Sequence, residues 1–287
     1  MNEELRLGMK PGDRDFDPTA VPVRPAATVM IVEDRPNLHV LMIERNARMV
    51  FAGGMWVFPG GGVDAGEADE LEHCCEGLDD RQASDLLWIH SGGLAYWVAA
   101  IRENFEEAGL LLGRQRNGRP LDIARLAEAR RRLGRREVRF LDVVRDHDLV
   151  LDTHAVHYAA HWITPLGSPR RFSARFFVSH PPPGQTVVHD ETETVGWEWV
   201  TPEAALDRFT RNEWVMMTPT LRMLRCLDMF GSAREVMEAA RANLSDERAR
   251  VRYEADGTYT IVLPGERGYE TADEEKENGW IRLRPLR

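Results

Sequence analysis

Cysteine is scarce: Cys74, Cys75 and Cys226 are the three in 287 residues. A vicinal pair and one distant thiol make neither a disulfide framework nor a zinc-ligand spacing. They are expected to be free thiols in a reducing cytoplasm. No apolar run approaches the roughly 20 residues that span a bilayer. The segment from Met1 to Asp17 is polar and lacks a signal-peptide core, and the end, Arg284-Pro285-Leu286-Arg287, is not a peroxisomal address of the Ser-Lys-Leu type. A cytoplasmic protein without a membrane partner is the expectation. Basic excess is also missing. Against 47 Asp and Glu stand 37 Lys and Arg, a net charge of −10, which argues against non-specific binding to nucleic acid. Internal repeats and low-complexity linkers are absent. At 43% hydrophobic and 29% charged residues, the chain can bury an ordinary core, in one large domain or two small ones.

The densest chemistry is Arg102-Glu103-Asn104-Phe105-Glu106-Glu107-Ala108-Gly109-Leu110. At about 100° per residue, a helix gathers Glu103, Glu106 and Glu107 within roughly 100° of one face. Like charges so placed repel by about 0.2–0.5 kcal/mol per exposed pair, so the set calls for a cation. Carboxylate oxygens are the hard ligands that Mg²⁺ or Mn²⁺ prefers. The plainer reading is a solvated acidic face. The helix starts near Leu94, carries an apolar face of Leu94, Trp97, Val98, Ile101 and Phe105, and stops at Gly109. Upstream, Pro59-Gly60-Gly61-Gly62-Val63-Asp64-Ala65-Gly66-Glu67 is a loop whose glycines let the backbone approach a ligand, or simply a turn.

Elsewhere the patterns are coarser. Residues 26–32 and 39–43 read as a hairpin around Asp34-Arg35-Pro36-Asn37, and 56–58 as a short strand. Residues 69–75 and 80–89 are helix-like. A short strand is expected at Leu110–Leu112, and two helices over 121–147. The basic cluster Arg130, Arg131, Arg132, Arg135 and Arg136 is a phosphate-binding candidate or a solvated helix face. Strands follow over 154–162, 175–178 and 195–200, then helices over 201–208, 218–230 and 233–243, and one strand in the tail, 258–263. His154, His157, His161 and His189 show no metal-ligand spacing and read as structural. Trp56, Trp97, Trp162, Trp197 and Trp199 read mostly as core.

The two acidic segments together resemble the motif of the Nudix hydrolases, G-x5-E-x7-R-E-U-x-E-E-x-G-U, with U apolar. Gly61 and Glu67 have the required spacing, and Arg102 to Leu110 supplies the second half. Two departures stand out. Between Glu67 and Arg102 lie 34 residues, a 27-residue excess over the motif, and Asn104 occupies an apolar position. A box interrupted at this place is similar to that of the mammalian peroxisomal coenzyme A diphosphatase and its bacterial relatives. The likeness extends over Arg45, Val57-Phe58-Pro59-Gly60-Gly61, His161-Trp162-Ile163-Thr164-Pro165, Arg171 to Phe177 and Glu193 to Trp199, roughly residues 22–230. Val50 stands where the coenzyme A signature has arginine.

The resemblance implies an α/β fold: a Nudix α/β/α sandwich with a mixed sheet. An irregular arm would cover 1–21, the Nudix domain 22–230 with a helical insertion at 68–93, and a helix and extension 231–287. That insertion is expected beside the active-site mouth or at a dimer contact. The implied reaction is Mg²⁺- or Mn²⁺-dependent hydrolysis of a nucleoside-diphosphate-linked small molecule, with coenzyme A or acyl-coenzyme A leading. ADP-ribose, a dinucleotide such as NADH, or a capped RNA 5′ end is the alternative, and a non-catalytic nucleotide-binding module a further one. By the same resemblance Glu103, Glu106, Glu107 and the carbonyl of Gly61 are metal ligands. Glu106 and Glu107 are catalytic, and Glu193, favoured over Glu191, is the general base. Arg45, Phe58 and Gly60 contact substrate, and Glu67, Arg102 and Gly109 shape the box. A homodimer is also expected from the family.

Overall fold

A computed structural model describes residues 17, 19–49, 52–119, 121–188, 193–254 and 258–286. The arm up to residue 16 and Val50, His189 and Glu191 lie outside the described residues. The elements in chain order are β1 (Val23–Asp34), β2 (Leu38–Arg45), β3 (Trp56–Val57), β4 (Gly60–Gly62), α1 (Ala65–Leu71), β5 (Cys75–Glu76), α2 (Asp80–Leu87), α3 (Leu94–Ala108), β6 (Gly113–Gln115), α4 (Ile123–Gly134), α5 (Phe140–Asp146) and β7 (Leu149–Asp152). Then come β8 (His157–Ile163), β9 (Arg171–Ser179), β10 (Thr194–Val200), α6 (Pro202–Thr210), α7 (Thr218–Leu227), α8 (Ala233–Arg241), β11 (Glu247–Tyr253), β12 (Tyr259–Val262) and β13 (Glu274–Ile281).

The main sheet runs β10-β2-β1-β9-β8-β13-β11-β12, with β3 added to β2 and β4 to β1. The β1–β9 pair is parallel and the others are antiparallel, so the sheet is mixed. Side chains alternate across a strand, and β1 uses both faces. Ala27, Val29 and Ile31 enter one core with α3, while Met30 and Val32 enter another with α7 and α8. A strand covered on both sides carries a continuous apolar run rather than an alternating one, which is why 26–32 is so legible. Helices on each face complete the α/β/α sandwich.

The 68–93 insertion is part of the first core: Ala68, Leu71, Cys74, Ala83 and Leu87 are buried in it. β5 pairs with β7, and β6 with β7, in a small second sheet. The end of the insertion caps α3. Asp80 accepts from the backbone N–H of Gly92 at 2.9 Å and of Leu94 at 3.0 Å, and the Ser84 hydroxyl accepts from Gly93 at 2.9 Å. The insertion therefore runs from the box to the opposite end of α3 rather than staying at the mouth. Glu103 lies nine residues beyond Leu94, roughly 13 Å along the helix.

Three local features depart from the sequence patterns. Leu110–Leu112 is buried but not a strand; the strand begins at Gly113. Leu149–Asp152, which the sequence patterns left without an element, forms β7. The tail holds three strands, not one, and β13 joins them to β8 with Trp280 opposite His161. Residues 231–287 are thus continuous with the main sheet. All three cysteines are free. Among the described residues, no helix is long and apolar enough to cross a membrane.

Candidate active site

β4 and the C-terminal half of α3 build the site. β4 lies along β1 with Ala27 opposite Gly61, which brings the glycine loop onto α3. There Arg102 is the joint between the two halves of the split box. Its Nε is 3.2 Å from Glu67 at the start of α1; its Nη1 is 2.7 Å from Glu103 and 3.0 Å from Glu106. Its Nη2 donates to the Gly62 carbonyl at 2.7 Å. Burial alone would lower the pKa of this guanidinium, but Glu103, Glu106 and Glu67 outweigh it and raise it. The 27 inserted residues leave the Glu67–Arg102 contact intact.

Glu107 is 2% exposed. Arg45 donates to one of its oxygens and the Gly60 N–H to the other, both at 2.9 Å. Arg45 ends β2, opposite Thr194 of β10, so sheet register delivers it to a helix residue 62 positions away. Glu193 precedes Thr194, and its carbonyl accepts from Asn46 N–H at 2.8 Å. Its negative charge is felt by Glu103, Glu106 and Glu107 alike. Burial is the main cause that raises all three carboxyls. Arg102 opposes it at Glu103 and Glu106, and Arg45 at Glu107. Burial likewise raises Glu67 against the pull of Arg102. The structure thus gathers Gly60, Gly61, Glu67, Arg102, Glu103, Glu106, Glu107, Arg45 and Glu193.

The donor set is all hard oxygen, and its charge fits a cation. Glu67, Glu103, Glu106, Glu107 and Glu193 outnumber the guanidiniums Arg45 and Arg102 paired with them. Gly61 makes room for one such donor: a Cβ there would stand 2.4 Å from the Glu103 carboxyl carbon. Among the described residues, no three acidic, imidazole or thiol groups stand in a metal-holding arrangement. Arg102 contacts Glu103 and Glu106 through Oε1 of each, and Arg45 contacts Glu107 through Oε1.

Phe58 does not belong to this set. It is buried in the core on the α7–α8 face, whereas Val57 packs with Ile43 and Met55. Gly109 shapes the helix end as expected: it is left-handed, φ 71°, and its N–H returns to Phe105. Other residues had no clear signal in the sequence. Asn104, fully buried, donates to the Leu110 carbonyl at 2.7 Å, which explains an amide in an apolar position. Gln185 bonds both the N–H and the carbonyl of Leu111, and Val188 N–H donates to Ala108. Arg130, from the basic cluster, donates to the Glu106 carbonyl at 2.9 Å. Arg131, Arg132 and Arg135 instead form ion pairs at the surface.

The histidines and tryptophans divide by place. His161 bonds Ser173 and stacks on Trp280, and burial lowers its pKa to about 3. Trp97 and Trp162 are core, Trp56 stacks on Trp214 at 3.9 Å, and Trp197 is 40% exposed.

A family model described as the NUDT19 Nudix domain matches residues 77–227. The chain is 29% identical over 235 residues to the human acyl-coenzyme A diphosphatase NUDT19, covering 68% of this chain and 62% of that protein. It therefore spans less than two thirds of the human relative's length. The chicken protein of the same name is 28% identical, with 86% and 79% covered. Among solved structures, a NUDIX hydrolase from Alicyclobacillus acidocaldarius superposes with a TM-score of 0.60 at 24% identity, covering 76% of this chain and 97% of that one. At that identity the likeness carries the fold.

Proposed function

This chain belongs to the Nudix family, and from that premise we propose that it hydrolyses the pyrophosphate of coenzyme A or an acyl-coenzyme A, releasing adenosine 3′,5′-bisphosphate and the corresponding phosphopantetheine. The names of the human and chicken relatives support the substrate. The observation that carries the reading is the Arg102 joint, which closes a box split by 27 residues into one cluster of carboxylates.

Glu103, Glu106, Glu107 and the Gly61 carbonyl are the groups that would hold Mg²⁺ or Mn²⁺. Such an ion supplies positive charge against the pyrophosphate oxygens and makes water more acidic. The chain's own residues do the rest. Arg45 and the Gly60 N–H fix both oxygens of Glu107. Arg102 fixes Glu103 and Glu106 relative to the glycine strand. Glu193 is the general base: it stands just before β10, outside the box, and takes the proton of the attacking water. Arg45 also has a buried Nε without a hydrogen-bond partner, a donor suited to a phosphate oxygen.

A second reading keeps this chemistry on ADP-ribose, NADH or a capped RNA end; Val50 in place of the signature arginine favours it. A substrate panel separates the two. Coenzyme A, an acyl-coenzyme A, ADP-ribose, NADH and a capped oligonucleotide are incubated with Mg²⁺ or Mn²⁺ in H₂¹⁸O, and the products are weighed. The coenzyme A reading expects ¹⁸O in one of the two coenzyme A fragments. Efficient cleavage of ADP-ribose or NADH with coenzyme A left intact would reject it.

A further inference from the structure

A cavity of about 220 Å³ opens beside the N-terminal half of α3. Leu78 and Leu86 of the insertion, Trp97 of α3, His154 and His157 around the start of β8, and Arg241 at the end of α8 wall it. Trp97 precedes Glu103 by six residues, roughly 9 Å along the helix, so this is not the carboxylate site.

Among the described residues, its lining carries basic groups and no carboxylate. Arg241 has no ion pair among the described residues, and His154 and His157 stand with it. Of the carboxylates behind the lining, Asp152 opposes the other charges at His157 while accepting from the Ala155 N–H, and Asp246 pairs with Arg282. The Tyr158 hydroxyl accepts from Arg175 at 3.0 Å, and Arg282, paired with Asp246, lies over the Tyr158 ring. His157 Nε2 is buried without a hydrogen-bond partner, and a buried polar atom left so costs about 1–3 kcal/mol. A larger cavity of about 520 Å³ near the tail differs in this respect. There Arg225 is bound to Glu266 and the Ile261 carbonyl, and Arg252 to Glu254.

We propose that the cavity between the insertion, α3 and α8 binds a phosphate group, held by Arg241, His154 and His157. A guanidinium fork suits phosphate oxygens. Water takes about 30 Å³ of liquid volume, so the space admits a phosphate and the first atoms of an ester. Burial, with the charges of Arg241 and His154, holds His157 near a pKa of about 4. It is therefore neutral at pH 7, free to donate one ring N–H to an oxyanion.

Calorimetric titration tests the proposal. The full chain, kept in EDTA so that the carboxylate site lacks its ion, is titrated with inorganic phosphate and with glycerol 2-phosphate. Saturable binding at one site per chain is expected below about 10 mM, weakened at least about tenfold, or 1.4 kcal/mol, in Arg241→Ala and in His157→Gln. Arg241 is exposed, so its variant should keep the wild-type melting temperature even if His157→Gln folds poorly. Equal binding of both probes identifies a phosphate ester as occupant, and binding of inorganic phosphate alone identifies the free ion. No saturable binding of either, or binding unchanged in Arg241→Ala, overturns it.

Discussion

At Gly61 a side chain would contend with a carboxylate for one position. The added Cβ of Gly61→Ala meets Glu103 at 2.4 Å, but it meets the movable end of a long side chain and not backbone. The variant is expected to fold with a melting temperature close to wild type while kcat falls by on the order of 10²-fold or more, because an oxygen of the proposed metal-binding set is displaced. A lost fold together with lost activity would show that the glycine serves the backbone instead. The charge of the cluster gives a second expectation. Burial raises Glu103 and Glu107 above the 4.5 of a free glutamate. Without divalent ion the folded chain then binds more protons than the unfolded one in the range above that value. Its stability falls as pH rises through the raised folded values. Mg²⁺ binds the deprotonated form, so the melting-temperature gain from Mg²⁺ should grow from about pH 5 to about pH 8. A gain that is flat or shrinks over that range would contradict it. The carboxylates were legible because they are local in the chain. Arg45's hold on Glu107 was not, because it depends on the register of β10, β2 and α3 together.

α3 carries the carboxylate cluster near one end and borders the proposed phosphate cavity near the other, and each end is held from outside. At its N-terminus Asp80 and Ser84 take the free backbone N–H groups, where a carboxylate also suits the helix dipole. At its C-terminus Asn104, Gln185, Val188 and Arg130 answer the free backbone groups at and just beyond the last turn. The insertion is thus a clamp on α3. Gly93 is where the clamp closes: a Cβ there would lie 2.2 Å from the Ser84 backbone nitrogen. Gly93→Ala is expected to cost about 1–3 kcal/mol, or roughly 2–4 °C of melting temperature per kcal/mol in a chain of this size. Thermal unfolding followed by circular dichroism measures it, and an unshifted midpoint would refute the clamp. The two helices of the insertion were visible in sequence. Its docking was not, because capping by Asp80 and Ser84 is made across the turn of a loop whose path no local pattern specifies.

The tail is joined to the rest of the molecule by strand pairing, by apolar packing of Ala249, Val251, Ile261, Leu263, Ile281 and Leu283, and by side-chain bonds that include a buried arginine. β13 extends the sheet at β8, and Arg282 joins Asp246, Asn243 and the Leu86 carbonyl of the insertion. Removing residues 247–287 would expose the β8 edge and the core around Ala160 and Trp162. Such a truncation is expected to yield aggregated protein; a soluble, cooperatively folding product would contradict it. Here sequence reasoning fell short for a physical reason. Glu274 to Ile281 is largely polar and includes Gly279, residues that do not favour strands, and its pairing is supplied by the partner β8. The sandwich itself was legible because β1 is apolar on both faces and α3 keeps a helical period. The central claim about the whole chain is that the reassembled box carries out metal-dependent cleavage of coenzyme A. The most direct measurement is coenzyme A turnover with saturating Mg²⁺ by the wild type and by Glu107→Gln, with circular dichroism to confirm the fold of each. The account expects the wild type to turn over coenzyme A and the folded variant to lose about 10³-fold or more in kcat. A folded Glu107→Gln enzyme working at a near wild-type rate would contradict it.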